Sequence, residues 1–190
     1  MNTDKAIKNT LKMLQEDMQV GNRVVAIFDI DGVVLDINHR LPHITHVVDG
    51  KQVYRPDADW DTFHSLQHQD TTGKFAALVR RLSSSGLFVP VFLSARVELN
   101  ARIRGDLCAR LNWGNGCPVL MEEWSLILRP EGSNETPKLF KGRVVDMMLE
   151  RKIDIALAVD DSHENCLEFM KRGIPTLRAY NHLTPDSWEY

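Results

Sequence analysis

Apolar residues recur near the start of the chain at Ile7, Leu11, Leu14 and Met18, at spacings of four, three and four. That is one stripe of a helix with polar residues opposite, so a helix is predicted from Asp4 to about Gln19, ended by Gly21-Asn22. Arg23 to Asp29 (RVVAIFD) is a continuous apolar run too short for a helix. It reads as a strand buried on both faces, as in parallel sheets. Regular alternation resumes after residue 72. Helices are predicted over Lys74–Ser84, Glu98–Leu111, Pro137–Arg151 and His163–Arg172. Strands are predicted over Leu87–Leu93, Ile153–Val159 and Ile174–Ala179, with short strands at Pro118–Met121 and Ser125–Leu128. In the helix that starts at Pro137, Val144, Val145, Met148 and Leu149 are expected on the inner face.

Strands alternating with helices of this length imply crossover connections. The expected fold is α/β: a three-layer, Rossmann-like, mostly parallel sheet with helices on both faces. Residues 1–22 form the leading helix and 23–190 the main domain. Residues 37–72 are polar, hold five of the seven histidines, and are periodic only around Trp60–Leu66. They read as a small cap-like insertion after the first strand, a candidate lid or substrate loop. The stripe of the first helix suits packing on the core or recruitment of a partner.

Composition narrows the class. The 190 residues are 43% hydrophobic and 26% charged, with a formal charge of −3. This suits a soluble globular protein and argues against a generally basic nucleic-acid coat. Cys108, Cys117 and Cys166 have no ligand spacing and read as reduced thiols. No apolar run is long enough to span a bilayer and no signal core opens the chain, so a cytoplasmic protein without membrane contact is expected. Oligomeric state is open. The five clustered histidines form no HxH or HExxH pair, so zinc is not expected.

In such sheets ligands bind beyond the carboxyl ends of the strands. The first strand is followed by Asp29-Ile30-Asp31-Gly32, the second by Ser94-Ala95-Arg96, and the fourth by Asp160-Asp161-Ser162. Four carboxylates, a hydroxyl and a guanidinium can therefore converge on one edge. So much negative charge in a small volume calls for a cation, and oxygen-only ligands suit Mg2+. Alternation along an extended chain points Asp29 and Asp31 the same way, while Gly32 permits a sharp turn.

Phe28-Asp29-Ile30-Asp31-Gly32-Val33-Val34 resembles the DxDG(T/V) signature of the haloacid-dehalogenase-like phosphohydrolases. Ser94 matches the second motif of that superfamily, Lys141 the third and Asp160-Asp161 the fourth, over about Val24 to Tyr180. The resemblance implies that Asp29 attacks phosphorus to form an aspartyl-phosphate, and that Asp31 protonates the leaving oxygen and later activates water. It implies Mg2+ on the Asp29 carboxylate, the Asp31 carbonyl and Asp161, with Asp160 close by. Ser94 and the Ala95 N–H would hold phosphoryl oxygens, and Lys141 would neutralise charge, a role Lys138 could also fill. An acid at position 31 should have its pKa raised by its acidic neighbours. Val33 replaces a frequent Thr, and Ala95 a usual Gly, tolerable if its φ is not positive.

Within the superfamily, the segments FLSARVE (92–98), LRPEG (128–132), LAVDD (157–161) and RAY (178–180) resemble the 3′-phosphatase domain of phage-type polynucleotide kinase–phosphatases. No GxxxxGK[ST] is present, so the resemblance implies a stand-alone phosphatase acting on phosphorylated nucleic-acid ends. Arg96 and then Arg129 are the candidate substrate contacts. Arg96, Arg102, Arg104, Arg110 and Arg129 suit either a basic rim or a solvated face pairing with Glu98 and Asp106. Trp60, Phe63 and His64 suit either stacking on a base or anchoring the insertion. A mononucleotide 5′(3′)-nucleotidase is the alternative enzyme, and a non-catalytic phospho-ligand-binding domain the alternative of another class.

Overall fold

The computed structural model describes residues 3–98, 101–113 and 125–180, with most of their side chains. The helix α1 (Thr3–Gly21) is followed by strand β1 (Val24–Phe28) and then by the insertion, which begins with β2 (Leu35–Asp36). A 3-10 turn (Leu41–His43), the hairpin β3 (Thr45–Val48) and β4 (Lys51–Tyr54), helix α2 (Trp60–Ser65) and β5 (Thr71–Thr72) complete the insertion. Next come α3 (Ala76–Ser84), β6 (Phe88–Glu98), α4 (Ala101–Trp113), β7 (Leu126–Pro130), α5 (Pro137–Glu150), β8 (Ile155–Asp160), α6 (His163–Lys171) and β9 (Thr176–Arg178).

Five strands form one parallel sheet in the order β7-β6-β1-β8-β9. The chain lays down β6 and β7 on one side of β1, then crosses to place β8 and β9 on the other. With right-handed crossovers, that reversal puts successive helices on opposite faces. Alternate residues of each strand accordingly enter different cores. Val25, Ile27, Val91 and Ile127 meet Phe140, Val144, Met148 and Phe169 of α5 and α6. Ala26, Phe28, Phe92 and Leu128 meet Val79 of α3 and Leu107 and Leu111 of α4. Ile7, Leu11 and Leu14 of α1 are buried in the first of these cores, so this helix packs on the sheet. Among the described residues, no helix is long and apolar enough to cross a membrane.

Three sequence expectations change. The second strand does not stop at Leu93: it runs on to Glu98, and α4 begins only at Ala101. The extension is possible because β7 pairs with both halves of β6 around an irregularity between Ser94 and Val97. Leu149 is 39% exposed, and Phe140, one turn before Val144, takes the inner position instead. The insertion also holds a hairpin whose Asp49-Gly50 turn has both φ values positive, 50° and 74°. The expected strand at Pro118–Met121 lies outside the described residues.

The insertion has its own small core of Ile37, Leu41, Ile44 and Phe63. It is joined to the main domain through a narrow neck in which β2 pairs antiparallel with β5. Gly73 closes that neck: its N–H donates to the Val34 carbonyl at 2.7 Å. A Cβ at position 73 would lie 2.4 Å from the Val33 oxygen and 2.8 Å from the Val34 carbonyl carbon. Both neighbours are backbone and cannot swing away. Gly73→Ala is therefore expected to destabilise the protein by about 1–3 kcal/mol through overpacking, read as a lower urea midpoint at unchanged slope.

Candidate active site

The carboxyl edge of the sheet is where the crossover direction changes, between β1 and β8. The Asp29 N–H donates to the Val159 carbonyl at 2.9 Å, so the residue after β1 is held against the end of β8, next to Asp160 and Asp161. Ligand atoms of Asp29, Asp160 and Asp161 all lie within 4.8 Å of one another, and all three residues are buried. Gly32 makes room for this triad. Its φ is +74°, and a Cβ there would stand 2.4 Å from Asp161 Oδ2. Only a residue without a side chain lets the turn pass so close to that carboxylate.

Lys141, one turn into α5, is 1% exposed. Its Nζ donates to Asp160 Oδ2 at 2.7 Å and lies 2.9 Å from Asp29 Oδ1. Lys138 instead pairs with Glu164 at 3.2 Å on a partly exposed surface, so the position nearest the acids belongs to Lys141. The other Asp160 oxygen accepts from the Ser162 N–H and the Asn165 amide, both at 3.0 Å. Asp29 Oδ1 also accepts the Ile30 N–H at 2.8 Å. Burial, together with the charges of Asp160 and Asp31, outweighs Lys141 and pushes the Asp29 carboxyl up to about 7. On the Asp161 side, the Arg178 Nε donates to the Asp161 carbonyl at 3.2 Å. The triad offers oxygen ligands alone and could hold a metal ion.

Asp31 stands apart from the triad. Its Oδ1 accepts from Arg40 at 2.6 Å and from Arg96 at 2.5 Å, and its Oδ2 from Arg96 Nε at 2.8 Å. Both guanidiniums also reach Asp70, Arg40 at 2.7 Å and Arg96 at 3.0 Å. The Asp70 side chain is fully buried and Arg40 is 1% exposed. This corrects the expected upward shift. Burial by itself would raise the Asp31 carboxyl, but Arg96 and Arg40 hold it well below the usual carboxylate range. The acidic neighbours named from sequence are outweighed by two cations, one of which is far away in sequence.

Ser94 is buried at the irregularity of β6, and its Oγ accepts the Arg96 N–H at 3.2 Å. Such an irregularity re-aims side chains, and Arg96 just beyond Ser94 reaches Asp31. Ala95 does not have a positive φ. Arg129 on β7 donates to the Glu135 carbonyl at 2.8 Å. Arg104 is committed to Glu98 at 2.6 Å and to the Leu126 carbonyl at 2.7 Å, which is a structural use. The side chain of Arg102 lies outside the described residues. A cavity of about 580 Å³ joins Asp29, Asp31, Ser94, Ala95, Arg96, Arg129 and Lys141 to Arg40, Trp60 and His64 of the insertion. Arg40 and Asp70 belong to no motif in the sequence. A buried arginine in a polar insertion gives no periodic signal, although Arg40 lies just nine residues after Asp31.

No protein-family model matches the chain, and no curated protein does. Among solved structures, a chain in the Pnkp1/Rnl/Hen1 complex superposes with a TM-score of 0.55 at 15% identity, over 81% of this chain and 45% of that one. A chain in the Pnkp1/Rnl/Hen1 RNA repair complex does so with the same score and identity, over 82% and 42%. The present chain thus spans less than half of either. At this identity the likeness establishes a shared fold.

The charge arrangement has a pH signature. A carboxyl whose pKa is higher in the fold than in the unfolded chain binds its proton more tightly when folded. Its contribution to stability therefore falls as pH rises from the ordinary 3.8 to about 7, and is fully lost above that. EDTA-treated Asp29→Asn protein should melt above wild type at pH 8, by roughly 2–4 °C per kcal/mol relieved. The gap should shrink steadily on acidification and vanish near the unperturbed value. A gap independent of pH would contradict the assignment.

Proposed function

We propose that this chain is a Mg2+-dependent phosphomonoesterase of the haloacid-dehalogenase-like type, removing 3′-phosphates from polynucleotide ends. The observation that carries this reading is the pairing of two aspartates two residues apart in different charge environments. Asp29 lies against Lys141 in the acidic triad, whereas Asp31 lies between two arginines. The fold shared with chains of an RNA repair complex supports a nucleic-acid end as substrate.

In this scheme Asp29 Oδ1 is restrained by Lys141 and the Ile30 N–H, leaving Oδ2 to attack phosphorus. The bond from phosphorus to the ester oxygen breaks, and Asp29 carries the phosphoryl group until water displaces it. Asp29, Asp160 and Asp161 would hold Mg2+, with the Asp31 carbonyl as a further ligand. The ion would supply positive charge against the phosphoryl oxygens. Lys141 adds to that charge and steadies Asp160. The Ser94 hydroxyl and the Ala95 N–H take phosphoryl oxygens.

Asp31 is the proton donor, and the arginines regulate when it can act. An incoming phosphate dianion competes with Asp31 for Arg96 and Arg40. As the guanidiniums are shared, Asp31 loses the charge that keeps it ionised and its proton affinity rises. Protonation is thereby favoured only with substrate in place.

Two measurements test the scheme. With Mg2+, the protein should release phosphate from a 3′-phosphorylated oligonucleotide faster than from 3′- or 5′-mononucleotides. Asp29→Asn should abolish release, and EDTA should silence the enzyme until Mg2+ is restored. Full activity in EDTA, or in Asp29→Asn, would refute the mechanism, and a preference for mononucleotides would favour the nucleotidase alternative. Separately, Asp31→Asn should lose on the order of 10²–10⁴-fold in kcat/KM on an alkyl phosphate, and far less on p-nitrophenyl phosphate, whose leaving group needs no proton. Equal losses on both esters would remove the acid role.

A further inference from the structure

A cavity of about 580 Å³ is far larger than one phosphoryl group needs and is of the size that encloses a whole small molecule. The charged groups occupy only part of its wall. The insertion lines another part with Trp60 and His64, and the main domain adds Val97 and Pro137.

The rings of the insertion are braced against one another. The Tyr54 and Trp60 centroids are 5.8 Å apart, and Trp60 and His64 lie 6.0 Å apart with planes 29° from parallel. Phe63 meets Trp60 edge-on at 5.7 Å, but it is 5% exposed and its face lies 4.2 Å from the Arg40 guanidinium carbon. Phe63 therefore serves Arg40. Trp60 is half-buried and His64 exposed, so both retain surface for a ligand. A preformed wall of this kind costs little ordering on binding. Asp61, on the same wall, repels a second phosphate, which favours the uncharged flat part of a ligand there.

We infer that Trp60 and His64 form a stacking platform for the base of the nucleotide whose 3′-phosphate is removed, an assignment that rests on the polynucleotide-end reading above. A nucleotide joins a phosphate to a flat ring through a sugar, matching a site with a charged end and an aromatic wall. Stacking uses the π-face that every base has, so the platform tolerates any terminal base.

The test compares two 3′-phosphorylated oligonucleotides, one with a normal terminal base and one abasic at that nucleotide. Phosphate release is measured for wild type, Trp60→Leu, Trp60→Phe and His64→Ala. Binding of the corresponding 3′-hydroxyl products, which cannot turn over, is measured by fluorescence anisotropy. Wild type should favour the base-bearing end by roughly 5- to 100-fold in kcat/KM. Trp60→Leu should lose far more on the base-bearing substrate than on the abasic one and so erase that preference, Trp60→Phe should keep most of it, and His64→Ala should lose part. Equal treatment of both ends by wild type overturns the platform, as do equal losses on both substrates in Trp60→Leu and His64→Ala. Phosphate release without base preference leaves the phosphatase reading standing and the platform refuted. Base-dependent binding without phosphate release does the reverse.

Discussion

Ionised carboxylates can be buried only where cations reach them, and this constraint organises the whole carboxyl edge of the sheet. Two clusters meet it differently. Asp31 and Asp70 share Arg40 and Arg96, so two negative and two positive groups are interlocked by hydrogen bonds. Asp29, Asp160 and Asp161 have Lys141 among them, yet burial, together with the charges of Asp160 and Asp31, still pushes the Asp29 carboxyl up. The first cluster pairs two acids with two bases, whereas the second gathers three acids that could hold a metal ion. Removing one partner of a buried pair typically costs about 3–5 kcal/mol, so the first cluster does not tolerate piecemeal loss.

The insertion takes part in the first cluster. Arg40 and Asp70 both belong to it, near opposite ends of the segment, and both converge on Asp31 and Arg96 of the main domain. The β2–β5 neck and the close approach of Gly73 hold the same two ends together. Phe63 packs its ring beneath Arg40, so the small core of the insertion sets the position of a charged group. In this arrangement the insertion behaves less as a detachable lid than as a wall whose foundations are ion pairs.

The acid role proposed for Asp31 fits this wiring. A carboxylate that two arginines hold ionised is a poor donor until another dianion claims those arginines. Phosphate does so, because planar guanidinium forks match its oxygens as well as they match a carboxylate. In the proposed scheme, proton affinity at Asp31 follows occupancy of the site.

Local chemistry was legible in the sequence. Apolar runs and helical stripes identified the strands and helices, because side-chain periodicity reflects burial by neighbouring layers. The acidic pairs after Phe28 and Val159 and the Ser-Ala-Arg segment located the sheet edge that carries the site. The Asp49-Gly50 turn signal is also present in the sequence, between the two strands of the hairpin. What only the tertiary structure decided was which charge meets which. The choice of Lys141 over Lys138, the recruitment of Arg40 and Asp70, the continuation of β6 through Ser94, and the depression rather than elevation of the Asp31 pKa all depend on groups far apart along the chain. Periodicity has a range of a few residues, whereas electrostatic partnership is set by distance in space, which the sequence does not state.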